Sequence, residues 1–164
     1  MDERLTAFGL RVVPEKTVLL HFDGSLLQGG PGRPAEKPGT FTFLGFTHFL
    51  TKTRRGTLNI VRTPSVKARE RFVRKAAMWV KANRHQPVQT QQAHLARMLN
   101  GYYQYFGLRL CVAKLDAVRN RIRRFWGQAL RRRSQKAKRR NDWVRLTARP
   151  WFDLPAPRVT KAWV

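Results

Sequence analysis

The feature that most limits the fold is a change of hydrophobic period at Thr63. Before it, "FTFLGFTHFL" at residues 41–50 is rich in aromatic and β-branched side chains, and "TLNIVRT" after Gly56 alternates. These patterns predict two strands that pair as a hairpin with Gly56 in the turn. After Thr63 the period becomes 3.6, which predicts helices. We therefore expect an α+β fold, in which a small antiparallel sheet precedes a helical bundle.

Three amphipathic helices are predicted beyond that point. The first starts around Pro64, which Thr63 and Ser65 flank. The second is capped by Thr90 and ends at Gly107. The third runs from about residue 112 into an arginine block, and short loops between the helices favour a three-helix bundle. Each helix has a predicted apolar stripe. In chain order the stripes are Phe72, Val73, Ala76, Trp79 and Val80; Leu95, Met98, Leu99, Tyr102 and Phe106; and Leu115, Val118, Ile122, Phe125 and Ala129. The charged residues that point away from the first stripe are Lys67, Arg71, Arg74 and Lys81.

The two ends of the chain have different patterns. "RLTAFGLRVVPEKTVLLHF" predicts a short helix, a turn at Gly9, a brief strand near Val12 and a second strand at residues 17–22. Residues 23–39 are rich in glycine and proline without periodicity, which is typical of a mobile connection. "WFDLPAPRVTKAWV" has too many prolines for a helix and predicts an extended segment laid on a surface.

Gly45 interrupts the strand predicted at residues 41–50. Glycine adds no packing to a strand and costs backbone entropy, so its presence indicates that something approaches the backbone there. A β-bulge or a helix packed tightly over the sheet would each need a glycine. From the residues alone, one of these structural roles is favoured.

Charge narrows the choice of partners. The 164 residues contain 34 Lys+Arg and 9 Asp+Glu, a formal net charge of +25, and Glu70 and Asp116 are the only acids between Lys37 and Asn141. Such a surface favours a polyanionic partner. The single Cys111 excludes an internal disulfide, and the four histidines have no metal-ligand spacing. No long apolar run is present, so we expect an intracellular, cytoplasmic protein without a membrane partner.

The strongest local signal is the run "RNRIRRFWGQALRRRSQKAKRR" at residues 119–140. It contains 11 Lys or Arg in 22 residues and no acid. Basic runs are often solvated faces, but this one joins a surface that is already uncompensated, so binding to phosphates is the better explanation. Arginine dominates, and its planar guanidinium suits bidentate phosphate contacts and stacking on RNA bases.

The order of three motifs resembles a known family. "RLTAFGLRVVPEKTVLLHF" is similar to the late palm segment of bacterial reverse transcriptases, with Gly9, Leu10, Lys16 and Thr17 matching its "GL…KT". "FTFLGF" resembles the "FLG" strand that follows, and the helical region with "LNGYYQYFG" resembles the thumb, or maturase-specific domain, of group II intron reverse transcriptases. The resemblance implies the end of a palm at residues 1–63, a thumb at 64–140 and an extended tail at 141–164.

The resemblance also implies partners and contact residues. Expected partners are structured RNA, namely group II intron RNA and a template–primer duplex, and Gly45 would lie near the primer terminus. Among the aromatic residues, Tyr103 and Tyr105 flank the apolar stripe and are the better candidates for stacking on bases. The complete set of expected nucleic-acid contacts is Lys16, Phe43, Leu44, Gly45, Arg54, Arg55, Arg71, Arg74, Tyr103, Tyr105, Arg123, Arg124, Arg131, Arg132, Arg133, Lys136, Arg139 and Arg140.

One departure from the family is important. Reverse transcription uses paired carboxylates that hold two metal ions, in a Tyr-Ala-Asp-Asp turn that this sequence lacks. We therefore expect no catalytic residue, metal site or cofactor in this chain, with Mg²⁺ belonging to the complete enzyme. The resemblance thus implies a truncated or split product, or a degraded gene product, that is inactive alone. A separate chain carrying the fingers and the catalytic palm is a candidate partner.

Three classes of function are compatible with these sequence features. The favoured one is the nucleic-acid-gripping C-terminal portion of a group II intron reverse transcriptase and maturase. The alternative is a stand-alone, non-enzymatic RNA-binding protein that assists splicing or RNA folding. A cationic membrane-surface protein is disfavoured because the apolar helix faces have the width of a bundle core and would not be free to enter lipid.

Overall fold

A computed structural model describes residues 2–9, 11, 13, 39–53, 55–133, 148 and 152–159. These residues form an α+β fold, which confirms the predicted fold class. The elements are α1 (Asp2–Thr6), β1 (Phe41–Phe43), β2 (Phe46–Lys52), β3 (Leu58–Pro64), α2 (Val66–Ala82), α3 (Val88–Phe106), a 3₁₀ turn (Arg109–Cys111) and α4 (Val112–Arg131). The predicted strands near Val12 and at residues 17–22, and all of the 23–39 connection except Gly39, lie outside the described residues.

The chain divides into two compact units. One consists of residues 1–40 and 49–59, and the other of residues 41–48 and 60–164. The second unit contains the hairpin of β1 and the start of β2, together with the helices α2, α3 and α4. The surfaces considered below all lie in this second unit.

The single strand predicted at residues 41–50 is wrong, because this segment is itself a hairpin. β1 pairs antiparallel with β2 in a register that sets Phe43 opposite Phe46, which leaves Leu44 and Gly45 as a two-residue turn. Both turn residues have positive φ, 48° and 79°, which is the conformation of a type I′ hairpin turn. Gly45 is therefore required by the turn, and it lies neither in a bulge nor in the middle of a strand.

The predicted hairpin with Gly56 in its turn is confirmed. β2 and β3 are neighbours in a three-stranded sheet of order β1-β2-β3. In the turn between them the backbone N–H of Thr53 donates to the carbonyl of Thr57 at 2.8 Å, and Gly56 has φ 81°. Glycine takes this left-handed conformation without a steric penalty, as the turn requires.

Helix α2 begins and packs as its sequence predicts. Ser65 is the N-cap, and its hydroxyl accepts a hydrogen bond from the backbone N–H of Ala68 at 3.1 Å. The predicted stripe is confirmed: its members Val73, Ala76 and Val80 are buried, while Phe72 and Trp79 pack against the core. The α2 stripe is thus one wall of the bundle core.

Helix α3 starts earlier than predicted. It begins at Val88, directly after Pro87, and makes no side-chain cap, so the cap predicted at Thr90 is wrong. Thr90 lies in the first turn, because Pro87 at the helix boundary already sets the starting conformation. The predicted stripe is confirmed, with Leu95 and Leu99 almost fully buried, and the helix ends at Gly107.

Helix α4 turns a different face to the core at its C-terminal end. Leu115, Val118 and Ile122 are buried as predicted, but Phe125 is 42% exposed, whereas Trp126 is fully buried. The prediction for Phe125 is wrong because the Trp126 ring has two partners that the local period does not reveal. It stacks on Phe152 at 4.7 Å between ring centroids, and its indole N–H donates to the side-chain oxygen of Gln91 at 2.9 Å.

The C-terminal segment 152–159, which after Phe152 has no regular secondary structure, completes the bundle core. Phe152 and Leu154 are buried in the same cluster as Trp126. Arg119 fixes the segment by donating to the carbonyl of Leu154 at 2.9 Å and by pairing with the Asp153 carboxylate at 2.7 Å. The segment therefore supplies core side chains to the bundle. Trp143, Trp151 and Trp163 lie outside the described residues.

Candidate nucleic-acid interface

The exposed face of α2 is a cationic stripe. Lys67, Arg71, Arg74 and Lys81 follow one another at spacings of three or four residues, or multiples of these, and all are exposed. Within the described residues, none of them has an acidic partner within salt-bridge distance. Ser65 and the buried stripe fix the rotation of the helix, so the sequence places these charges in solvent.

The outward face of α4 carries a second cationic stripe. Arg121, Arg124 and Arg132 are exposed. They are spaced three and eight residues apart, so they share a face of α4 that its buried residues do not occupy. α2 packs against α4 in the bundle, whereas the exposed face of α3 has a single cation, Arg97. In the described part of the bundle, most of the surface positive charge therefore belongs to α2 and α4.

Among the described residues, acidic groups do little to neutralise these stripes. Glu70 is exposed on α2, and Asp116 on α4 is already engaged. The Asp116 carboxylate accepts a hydrogen bond from the side-chain amide of Asn120 at 2.9 Å and lies 3.5 Å from Arg119. Unpaired cations at helical spacing can contact the phosphates of a polyanion, and they repel one another without it.

Of the expected contacts, the hairpin residues lie beside α3. Phe43 and Leu44 are 61% and 67% exposed, and the carbonyl of Leu44 accepts a hydrogen bond from the Tyr105 hydroxyl at 2.9 Å. The Gly45 carbonyl accepts from the backbone N–H of Ser65 at 2.8 Å, and a Cβ built on Gly45 would lie 3.4 Å from the Phe106 ring. The close approach that the sequence indicated at Gly45 is thus an approach to Phe106.

The expected position of Tyr103 beside the stripe is wrong. Its side chain is only 2% exposed, and its hydroxyl donates to the carbonyl of Pro155 at 3.1 Å. Burial raises the pKa of Tyr103 to about 12. At this low exposure no face of the ring is left for a base. Tyr105 is 46% exposed and keeps an accessible ring.

Arg123, one of the expected nucleic-acid contacts, lies against the C-terminal segment. Its guanidinium carbon lies 5.3 Å from the centroid of the Phe152 ring, and its Nε is buried. The C-terminal segment again changes the environment of a residue that local periodicity places outside. Arg123 is therefore part of the packing between α4 and the segment.

The arginine block spans the end of α4. Arg131 is half-buried at the last helical position, and the exposed Arg132 is the C-cap. Arg133 donates a hydrogen bond to the carbonyl of Gln86 in the turn between α2 and α3. Arg55 is exposed in the turn between β2 and β3, in the other unit. Lys16, Arg54, Lys136, Arg139 and Arg140 lie outside the described residues.

The structure adds residues that the sequence interpretation missed. Arg84 and His85, in the turn between α2 and α3, line a surface notch with Arg132 and Arg133. Gln91 is fully buried under that turn. A sequence signal for Gln91 was present, because it lies one helical turn before Leu95 on the apolar stripe, where a polar residue requires hydrogen-bond partners.

The described residues have the features of neither a metal site nor a membrane span. Among them, no group of three or more His, Cys, Asp or Glu residues could hold a metal ion. None of the helices in this part of the chain is long and apolar enough to cross a membrane.

Comparisons with protein-family models, with curated protein sequences and with solved structures returned no match. The site is therefore interpreted from its own geometry and charge.

Proposed function

We propose that this chain binds structured RNA through the cationic stripes of α2 and α4, as the C-terminal portion of a group II intron reverse transcriptase and maturase. The observation that carries the RNA-binding proposal is the exposure of Arg71, Arg74 and Arg124 without acidic partners in the described residues. The assignment to this family rests on the sequence resemblance.

Phosphate contacts supply most of the binding free energy in the proposed interaction. Each phosphate that Lys or Arg neutralises releases condensed counterions, so affinity depends steeply on salt and little on sequence. The accessible rings of Phe43 and Tyr105 are suited to stacking on unpaired bases, and such stacking adds contacts with little salt dependence.

The experiment is fluorescence anisotropy of the full chain with a labelled structured RNA over a range of salt concentrations. If roughly 6 to 10 phosphates are contacted, affinity falls by about three to five decades between about 50 and 200 mM salt. The variant Arg71→Gln/Arg74→Gln/Arg124→Gln should reduce the slope of log affinity against log salt by about 2 to 3.

A matched variant controls for net charge. Arg4→Gln/Arg11→Gln/Lys52→Gln removes the same number of exposed cations from the other unit. Its slope should stay close to that of the wild type. Equal slopes for the wild type and the α2/α4 variant would show that these stripes are not part of the RNA-binding surface.

The stand-alone RNA-binding cofactor remains a second candidate, because the sequence lacks paired carboxylates for two-metal chemistry. The two candidates differ in one assay. We expect no primer extension by the chain alone with Mg²⁺ or Mn²⁺ and an RNA template. Adding a separate fragment with fingers and a catalytic palm restores extension for a polymerase portion, whereas a stand-alone cofactor gives none.

A further inference from the structure

The notch between the α2–α3 turn and the end of α4 brings together cations from two separate parts of the chain. Arg84, His85, Arg132 and Arg133 line it, and no acid is among its lining residues. Three guanidinium groups around one concave surface are well suited to an oxyanion, because each offers several N–H donors in a planar fork. The notch thus differs from the stripes, whose cations lie on convex helix surfaces.

A buried network holds the turn that forms one side of the notch. The side-chain amide of Gln91 donates to the carbonyls of Asn83 at 3.0 Å and Gln86 at 2.9 Å, and its oxygen accepts the indole N–H of Trp126. Gln91 is fully buried, so these bonds are shielded from water. The backbone that carries Arg84 and His85 is therefore fixed to the core before any ligand arrives.

The side chains of the notch are partly fixed as well. Arg84 donates its Nε–H to Nε2 of His85 at 3.1 Å, and Arg133 donates to the Gln86 carbonyl. The other N–H groups of Arg84, and the whole Arg132 guanidinium, have no acceptor within the described residues. Partial burial lowers the pKa of Arg133, and a bound anion would offset that loss of solvation. The notch therefore has both pre-positioned charge and unused donors.

We infer that this notch binds one phosphate group of the RNA, held by the guanidinium groups of Arg84, Arg132 and Arg133. The inference rests on the proposed RNA binding and adds to it a defined subsite. The phosphate is either an internal phosphodiester or a terminal phosphate monoester, which share the same oxyanion chemistry.

The first measurement detects the subsite without RNA. The ¹⁵N-labelled full chain is titrated with inorganic phosphate while chloride keeps the ionic strength constant, and the arginine Nε–H signals are followed. The signals of Arg84 and Arg133 should shift saturably, whereas Arg71 and Arg74 on the α2 stripe should respond no more than they do to chloride. Arg132→Gln should weaken phosphate binding by about tenfold.

The second measurement identifies the source of the phosphate. Two RNAs of the same sequence, one with a 5′-hydroxyl and one with a 5′-monophosphate, are compared on the wild type and on Arg84→Gln/Arg132→Gln. A terminal phosphate predicts tighter binding of the monophosphate RNA and loss of that advantage in the variant. An internal phosphate predicts that the variant binds both RNAs about tenfold more weakly, by the same factor.

The outcomes separate this inference from the proposed function. If all arginine signals respond to phosphate as they do to chloride, while the wild type binds RNA with a steep salt dependence, the notch is not a phosphate subsite and the RNA-binding proposal stands. If phosphate binds saturably but no RNA binds, the proposed function is wrong and the notch is a site for some other phosphate compound.

Discussion

Arg119 and Arg121 are two residues apart on α4, yet their surroundings differ completely. Arg119 faces the C-terminal segment, where it bonds to the Leu154 carbonyl and pairs with Asp153. Arg121 faces outward and has no acidic partner in the described residues. Residue type alone therefore does not mark a cation as part of a binding surface. The difference arises from what covers each face of the helix.

The aromatic neighbours Phe125 and Trp126 show the same contrast. Trp126 is enclosed by Phe152 and Gln91, while Phe125 is 42% exposed. One face of α4 is thus a structural face that holds segment 152–159, and the other is a free face that extends the cationic surface. Each pair of variants below compares a residue that contacts this segment with a more exposed close neighbour.

The largest effect is expected from Trp126→Ala. Removing this ring creates a cavity, unstacks Phe152 and leaves the Gln91 side-chain oxygen without its donor, so the free energy of unfolding should fall by about 3–5 kcal/mol. Phe125→Ala is the matched control and should cost about 1 kcal/mol or less. Chemical denaturation followed by circular dichroism measures both. Similar losses for the two variants would show that α4 is rotated relative to this description.

A smaller effect is expected from Arg119→Gln. The substitution removes the ion pair with Asp153, which is 67% exposed, and the hydrogen bond to Leu154. We expect a loss of about 1–2 kcal/mol of stability, since solvent screens part of the ion pair, with RNA affinity changed less than about twofold.

Arg121→Gln is the counterpart of Arg119→Gln and removes the same charge. It should leave stability within about 0.5 kcal/mol of the wild type and weaken RNA binding about threefold or more at low salt. Denaturation gives the stability of each variant, and fluorescence anisotropy gives the RNA affinity of each. The comparison fails if Arg119→Gln reduces RNA affinity as much as Arg121→Gln does.

The smallest effect is expected from Tyr103→Phe, which removes the hydroxyl that donates to Pro155 and should cost about 1 kcal/mol. The Tyr105 hydroxyl donates to the Leu44 carbonyl at an exposed site, so Tyr105→Phe should lower the free energy of unfolding by less. Denaturation at neutral pH compares the two variants.

Tyr103 also gives a dependence on pH. Burial raises its pKa to about 12 in the folded protein, whereas a tyrosine in the unfolded chain ionises near 10. Above pH 10 the unfolded state loses this proton first, so the stability contribution is complete below about pH 10 and decreases as the pH rises towards 12. Wild type and Tyr103→Phe should therefore converge in stability over this range. A constant difference would contradict the buried position of the hydroxyl.

The sequence predicted what local periodicity determines. The three helices, the start of α2 next to Pro64 and the stripes at Val73 and Leu99 follow from a repeat of 3.6 residues and from cap chemistry. The hairpin at Leu44 and Gly45 was missed, because a leucine at positive φ gives no turn signal and the aromatic residues on both sides form a continuous strand pattern. Leu44 has this locally unfavourable backbone conformation, and its carbonyl accepts a tertiary hydrogen bond from the Tyr105 hydroxyl.

Other errors share one cause, which is the C-terminal segment. Phe152 and Pro155 contact α3 and α4 from at least 26 residues away in sequence, and they change the environments of Tyr103, Arg123 and Trp126. No periodicity within a helix records such contacts. The candidate surface was predictable in its charge and in its α2 members Arg71 and Arg74, but the notch residue Arg84 was not.

The most direct test of the account maps arginine reactivity in the full chain with and without bound RNA. Phenylglyoxal modifies accessible guanidinium groups, and mass spectrometry of the digested protein gives the extent of reaction at each arginine. The account predicts that RNA protects Arg71, Arg74 and Arg124, while Arg119 reacts little in either state because its guanidinium is held by Asp153 and Leu154. Equal reactivity of Arg71, Arg74 and Arg124 with and without saturating RNA would contradict the claim that these two free faces form the RNA-binding surface.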